Sequence, residues 1–176
     1  ARGMVRCWRR PGNPEAGDPI DSVEGIGQAV PIFAEDDRLE VSVAQNHACV
    51  LNPRGAVECL TASGDQQGPE TQVPREGGSP IPFRQVAVGD FVTGQEQSLG
   101  FTCGLKLDDT AQCWGGGIAQ DAVPGDFKFH ALEVDDGTAC GIKTNGRIHC
   151  WGAHTGLSDG APPGLYRSIS VGLGHA

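Results

Sequence analysis

No run of apolar residues in this chain approaches the roughly 20 needed to cross a bilayer as a helix, so a helical membrane span is not expected. One methionine and one tyrosine occur among 176 residues, and the long adaptable side chains that fill irregular cores are nearly missing. No Cys-x-x-Cys pair is present, which argues against a zinc knuckle of ordinary spacing. Serine-nucleophile elbows, phosphate-cradling glycine loops and calcium loops are also missing. The expectation is therefore no catalytic set, no metal and no cofactor. The sequence has no Asn-x-Ser/Thr sequon either, so glycosylation gives no hint of the compartment.

What is plentiful is glycine (27 residues) and proline (12), with short apolar runs between them. That combination points to many turns joining short strands. The net charge is -9, unevenly spread. Residues 1–10 hold Arg2, Arg6, Arg9 and Arg10 and no acid, leaving nine bases against 22 acids in the rest. Such a field repels nucleic acid and anionic lipid and permits a basic partner. It also serves simply to keep a glycine-rich β protein in solution.

Internal repetition is the strongest signal. Cys49-Val-Leu-Asn-Pro-Arg-Gly-Ala-Val-Glu-Cys59 aligns with Cys103-Gly-Leu-Lys-Leu-Asp-Asp-Thr-Ala-Gln-Cys113 and with Cys140-Gly-Ile-Lys-Thr-Asn-Gly-Arg-Ile-His-Cys150. Nine residues separate the cysteines each time. Each segment reads as a β-hairpin, with turn chemistry in Asn52-Pro53-Arg54-Gly55, Asp108-Asp109 and Asn145-Gly146. Folding about the turn sets the two cysteines opposite one another on adjacent antiparallel strands, where a disulfide can form. The expected bridges are Cys49–Cys59, Cys103–Cys113 and Cys140–Cys150, with zinc ligation and a catalytic thiol as the lesser readings. An 11-residue loop closed in this way contributes about 2–3 kcal/mol in the chain-entropy treatment.

A strand is expected before each hairpin, at Leu39 to Val43, Phe83 to Val88, Ala131 to Val134 and Tyr166 to Val171. Val43 and Val134 each precede a first cysteine by six residues, whereas Val88 precedes Cys103 by 15, implying an inserted loop near 91–100. Gly3 to Trp8 matches Gly146 to Trp151, and Ile169 to Ala176 matches the approach to Cys49 and Cys140. About four repeat units are thus present: 1–10 in part, 39–61, 83–117, 131–153, and 166–176 in part, within a single repeat domain, 1–176. Both ends fall inside a unit, so the expectation is an excerpt of a larger ring, with Cys7 bonded to a cysteine outside this sequence; the alternative is a closed ring in which the N- and C-terminal pieces complete one unit.

The order strand, His47-Ala48-Cys49 or Thr138-Ala139-Cys140, hairpin, then Cys113-Trp114-Gly115 or Cys150-Trp151-Gly152 resembles the regulator of chromosome condensation-type repeat propellers. The disulfide-bearing branch is closer, meaning the beta-lactamase inhibitory protein II-like and crinkly-type ectodomain repeats. Thr102-Cys103-Gly104-Leu105 belongs to the same pattern. Cys59-Leu60 departs from it where the other units have Cys-Trp. The resemblance implies an all-β propeller of short antiparallel blades with binding loops. It does not carry over nucleotide exchange, for which no matching residue set is present.

Trp8, Trp114 and Trp151 each follow a second cysteine and are read as packing between blades, with a sugar-stacking platform as the alternative. His47 and His175 share one repeat position and suit a structural hydrogen bond. Asp36-Asp37, Asp108-Asp109 and Asp135-Asp136 read as turn and loop residues, with a weak calcium site as the alternative. The long connectors 12–34 and 62–80 and the insertion 91–100 are the expected binding loops, with Phe33, Ile81 and Phe91 as apolar anchors. Together these features suggest a non-enzymatic scaffold or interaction module, extracellular or at the cell surface, whose partner is another protein. A glycan partner (a lectin-like propeller) and a structural unit of a fibre or coat are the alternatives.

Overall fold

The computed structural model describes residues 40–45, 47–61, 71–92, 98–116, 123–153 and 163–172, and those residues are all strand, turn or irregular chain. Strands β1 (Glu40–Val43), β2 (His47–Leu51) and β3 (Val57–Thr61) form one antiparallel sheet in that order. Strands β4 (Arg75–Glu76) and β5 (Ser79–Pro80) pair as a small hairpin. Strands β6 (Phe83–Val92), β7 (Ser98–Lys106) and β8 (Ala111–Gly115) form the second three-stranded sheet. Strands β9 (Phe129–Asp135), β10 (Thr138–Lys143) and β11 (Ile148–Gly152) form the third. Each three-stranded sheet is one blade.

The hairpin turns share one design. Asn52 N donates to Ala56 O and Gly55 N to Asn52 O; Lys106 with Thr110 and Asp109, and Lys143 with Arg147 and Gly146, repeat both bonds. The fourth residue of each turn is left-handed, with φ of 86° at Gly55, 69° at Asp109 and 79° at Gly146. This is a tight turn followed by a left-handed bulge residue. Asp109 stands where glycine serves in the other two, a place where aspartate is among the better-tolerated residues with a side chain. Side-chain caps finish the turns: Asn52 Oδ1 accepts from Arg54 N, Asp108 Oδ1 from Thr110 N and Asn145 Oδ1 from Arg147 N.

The same turn residue anchors the next blade. Phe83 N donates to Gly55 O, Phe129 N to Asp109 O and Tyr166 N to Gly146 O, each at 2.8 Å. Within a blade the register sets Cys49 opposite Cys59, Cys103 opposite Cys113 and Cys140 opposite Cys150. All three pairs are disulfides, with Cα separations of 4.1, 4.0 and 4.0 Å. Period-two alternation then gives every blade two different faces. The cystine face of the first blade (Cys49, Leu51, Val57, Cys59) packs on Phe83, Val86, Val88 and Trp114 of the second. The cystine face of the second (Cys103, Leu105, Cys113) packs on Phe129, Leu132, Val134 and Trp151 of the third.

A ring pair marks each such interface. Phe83 and Trp114 have centroids 5.5 Å apart, and Phe129 and Trp151 5.4 Å. The phenylalanine ring lies over a glycine, Gly104 or Gly141, on the neighbouring strand of its own blade. The first blade lacks the pair: Val50 replaces the glycine and Leu60 the tryptophan. The Cys59-Leu60 departure is therefore one part of a coupled exchange, in which a bulkier strand residue goes with a smaller partner. Polar stitches cross the interfaces too. His47 Nε2 shares a 2.9 Å hydrogen bond with the Thr102 hydroxyl. Gln85 mimics a strand towards the third blade, donating to Leu132 O at 2.8 Å and accepting from Leu132 N at 3.0 Å.

Three expectations need correction. Residues 166–171 form no strand; Tyr166 is tied by its backbone N–H to the Gly146 turn, and a strand needs a continued ladder. The insertion is not a loop throughout. Asp90 pairs with Gly100, Phe91 with Leu99 and Val92 with Ser98, so it lengthens β6 and β7. Connector 62–80 contains the β4–β5 hairpin, turned by Gly77 and Gly78 at φ of 56° and 82°. Residues 1–39, including Cys7, Trp8 and Phe33, lie outside the described residues.

A side chain added at Gly104 would collide with the Phe83 ring, and one at Gly141 with the Phe129 ring. Gly104→Ala and Gly141→Ala should each destabilise the chain by about 1–3 kcal/mol, the range for overpacking. Pairing Gly104→Ala with Phe83→Leu should recover part of that loss. Urea unfolding of the four chains with disulfides intact tests this; an additive double variant would show that ring and glycine are not coupled.

Candidate interaction surface

The strand that opens each unit ends at the same place in space. Val43 closes β1, Val88 lies late in β6, Val134 lies late in β9 and Val171 belongs to the segment after the third blade. All four line one cavity of about 440 Å³. Four acids, Asp90, Glu133, Asp135 and Asp136, line it as well, together with Ser42 and Gln45. The result is a funnel with an aliphatic wall and an acidic mouth. Its acids come from the ends of β6 and β9 and the turn after β9.

Main-chain geometry holds this mouth in shape. Gln45 N donates to Asp90 Oδ2, and Val88 N donates to Ser42 Oγ at 3.1 Å, fixing the first blade to the second. Gly137 N donates to Asp90 O at 3.2 Å, fixing the second to the third. Asp136 and Gly137 are both left-handed, at φ of 45° and 70°, so the chain reverses sharply at the rim. Burial pushes the Glu133 carboxyl above the usual carboxylate range, because desolvation disfavours its charged form. The three aspartates and this glutamate create a local negative field that favours a cationic partner group.

The residues singled out in the sequence fall in different places. The six cysteines of the three hairpins are buried, four of them in the two interfaces between described blades. Trp114 and Trp151 are 4% and 2% exposed, so neither offers a ring face to a sugar. Ile81 packs against the core between the first and second blades. The Phe91 ring covers Gly137, beside the funnel mouth. Both residues are half-buried. Of the paired acids, Asp108 is drawn below the usual range by hydrogen bonds from Thr110, and Asp109 pairs with Arg84 at 2.8 Å. Among the described residues no group of three or more His, Cys, Asp or Glu is arranged to hold a metal ion. No helix among them is long and apolar enough to cross a membrane.

Sequence reasoning missed the funnel. The signal was available in the recurring strand-end valine, but attention went to the long connectors. Of those, residues 71–80 are described: Thr71 is buried, Val73 packs against the core, and the four strand residues of the β4–β5 hairpin are all exposed. Residues 62–70 and 93–97 lie outside the described residues.

Solved structures share this architecture. The ectodomain of the receptor kinase CR4 from Physcomitrella patens matches with a TM-score of 0.52 at 21% identity, over 72% of this chain and 32% of that one. The fold is a β-propeller segment. Each of its three described blades carries a cross-strand disulfide. Human WBSCR16 matches with a TM-score of 0.49 at 16% identity, over 71% of this chain and 35% of that one. Prp20p from Saccharomyces cerevisiae, described with its binding to Gsp1p and histones, matches with a TM-score of 0.46 at 17% identity, over 72% and 36%. This propeller segment spans about a third of the length of these structures. No protein-family model matches the chain, and no curated protein does.

The raised Glu133 value has a consequence for stability. A carboxyl that holds its proton more tightly when folded stabilises the fold below its unfolded value and loses that contribution as pH rises through its folded value. Glu133→Gln should therefore stabilise the propeller segment at pH 7 and have little effect at pH 4. Thermal unfolding at the two pH values checks the sign; an equal gain at both would remove the ionisation argument.

Proposed function

We propose that this chain is a non-enzymatic interaction module of the extracellular space or cell surface. Its partner is another protein, which enters the acidic funnel with a basic residue flanked by aliphatic ones. The observation that carries this reading is the funnel itself: one valine from each of four units on its wall, and four acids beside them. An aliphatic wall takes apolar side chains, and the acids steer a cation and orient it. The compartment rests on the disulfides. Three buried cystines, two of them in interfaces between described blades, are bonds that persist in an oxidising setting and are rare in the cytosol. The propeller fold shared with the CR4 receptor-kinase ectodomain supports this reading.

The exposed β4–β5 hairpin and the tip of the β6–β7 hairpin provide secondary contact. Because Phe91 and Leu99 belong to the paired strands, shortening the insertion without disturbing the blade is confined to residues 93–97.

The experiment is selection of a randomised peptide library on the full chain, prepared through a secretory pathway with its disulfides formed. Selected peptides should be rich in Lys and Arg beside aliphatic residues, and salt should weaken their binding. Combining Glu133→Lys with Asp135→Lys should slow association by roughly tenfold or more, with all three disulfides retained. Peptides without a charge bias, or binding indifferent to the double substitution, would remove the funnel from the proposal.

A further inference from the structure

The turn between β10 and β11 carries a reactive pair that the other two hairpin turns lack. The chain has four asparagines, Asn13, Asn46, Asn52 and Asn145. Asn13 and Asn52 precede proline, whose nitrogen carries no hydrogen and is already fully substituted. Asn46 precedes His47, which is buried in β2. Asn145 precedes glycine and is exposed at its turn.

Local geometry activates this pair. Arg147 N donates to Asn145 Oδ1 at 3.1 Å. That bond draws electron density from the side-chain carbonyl carbon and makes it a better electrophile. The nucleophile is Gly146 N, and glycine has no side chain to hinder the approach. Its donation to Lys143 O at 2.7 Å restrains it. The restraint lies in an exposed turn, where local opening costs far less than unfolding. Once open, Gly146 N gives up its proton to solvent and bonds to Asn145 Cγ. The side-chain nitrogen leaves as ammonia, closing a cyclic imide. Water then adds to either imide carbonyl and reopens the ring as aspartate or isoaspartate. In isoaspartate the main chain runs through the former side chain and is one methylene longer.

The same glycine holds the next segment. Gly146 O accepts from Tyr166 N at 2.8 Å, and Leu165 lies against Gly146. The equivalent bonds from Gly55 and Asp109 end on Phe83 and Phe129, both buried in blade interfaces. Tyr166 is half-buried, and none of residues 163–172 is buried. This segment therefore depends on its turn more than β6 and β9 depend on theirs.

We propose that Asn145–Gly146 is a modification site, where imide formation and hydrolysis insert isoaspartate into the turn and release residues 163–172 from the third blade. The added methylene shifts Gly146 relative to Lys143, so the turn bond and the bond to Tyr166 are not both kept. Val171 of the released segment lines the funnel, so the product also loses one residue of the funnel wall. The reaction needs no partner in the funnel, and its readouts are the turn and Tyr166 themselves.

The full chain, disulfides intact, is aged in mildly alkaline buffer made with heavy-oxygen water, beside a portion reduced and unfolded in urea. Incubation runs until Asn145 in the unfolded portion has converted. Peptide mapping of the folded chain should find isoaspartate at Asn145, with the label in its new carboxyl, and Asn46 still an amide. Hydrogen exchange should show the Tyr166 amide about tenfold faster or more in the aged chain than in the fresh one, as expected when a local restraint is lost. The Phe83 and Phe129 amides should keep their rates. Asn145→Ser keeps a side-chain acceptor for Arg147 N; it should form no isoaspartate and retain Tyr166 protection through the same incubation. Asn145 keeping its amide in the folded chain would overturn the site. Isoaspartate with Tyr166 still protected would overturn the release, as would an equal loss of Tyr166 protection in the serine variant.

Discussion

Contact between a cystine and a ring pair holds this structure together. A three-stranded blade has too little interior to be stable alone, since both its faces are surface until a neighbour covers them. The cross-strand disulfide sets two sulphurs at the centre of one face, where they form a compact apolar patch. The aromatic pair of the next blade lies on that patch, with the phenylalanine seated over a glycine that leaves room for it. The contact recurs at both interfaces between the described blades. The turn bond from Gly55, Asp109 or Gly146 to the following aromatic residue then fixes its height.

The funnel follows from that repetition. When equivalent strands arrive at one centre, their equivalent residues converge there, and a single recurring valine becomes the wall of a cavity. Charge at the mouth has a different origin. It comes from residues late in β6 and β9 and in the turn after β9. Rigid placement and variable lining are the combination by which a propeller supports different binding activities on one architecture.

The first blade shows how far a repeat can drift. Val50 stands where the other two blades have glycine, and Leu60 where they have tryptophan. Cores accept such exchanges when total volume is kept. Blade identity therefore rests on the disulfide and the turn bond, which survive in this unit, more than on the ring pair, which does not.

The even spacing of the cysteines and the turn residues between them were enough to establish the hairpins, their register and the two-faced blade, because those depend on local chain geometry and strict alternation. Trp114 and Trp151 could be assigned to packing for the same reason: their place relative to a cysteine decides their face. Three-dimensional arrangement decided what lies far apart in sequence. It set Val43, Val88, Val134 and Val171 around one cavity, raised the Glu133 value by burial, and laid the Phe91 ring beside Gly137 and Ile81 against the core. It also made strands of residues expected in a loop, since Asp90 to Val92 find their ladder partners only once β6 and β7 lie side by side. Local periodicity determines which way a side chain points; only the packing of whole blades determines what it meets.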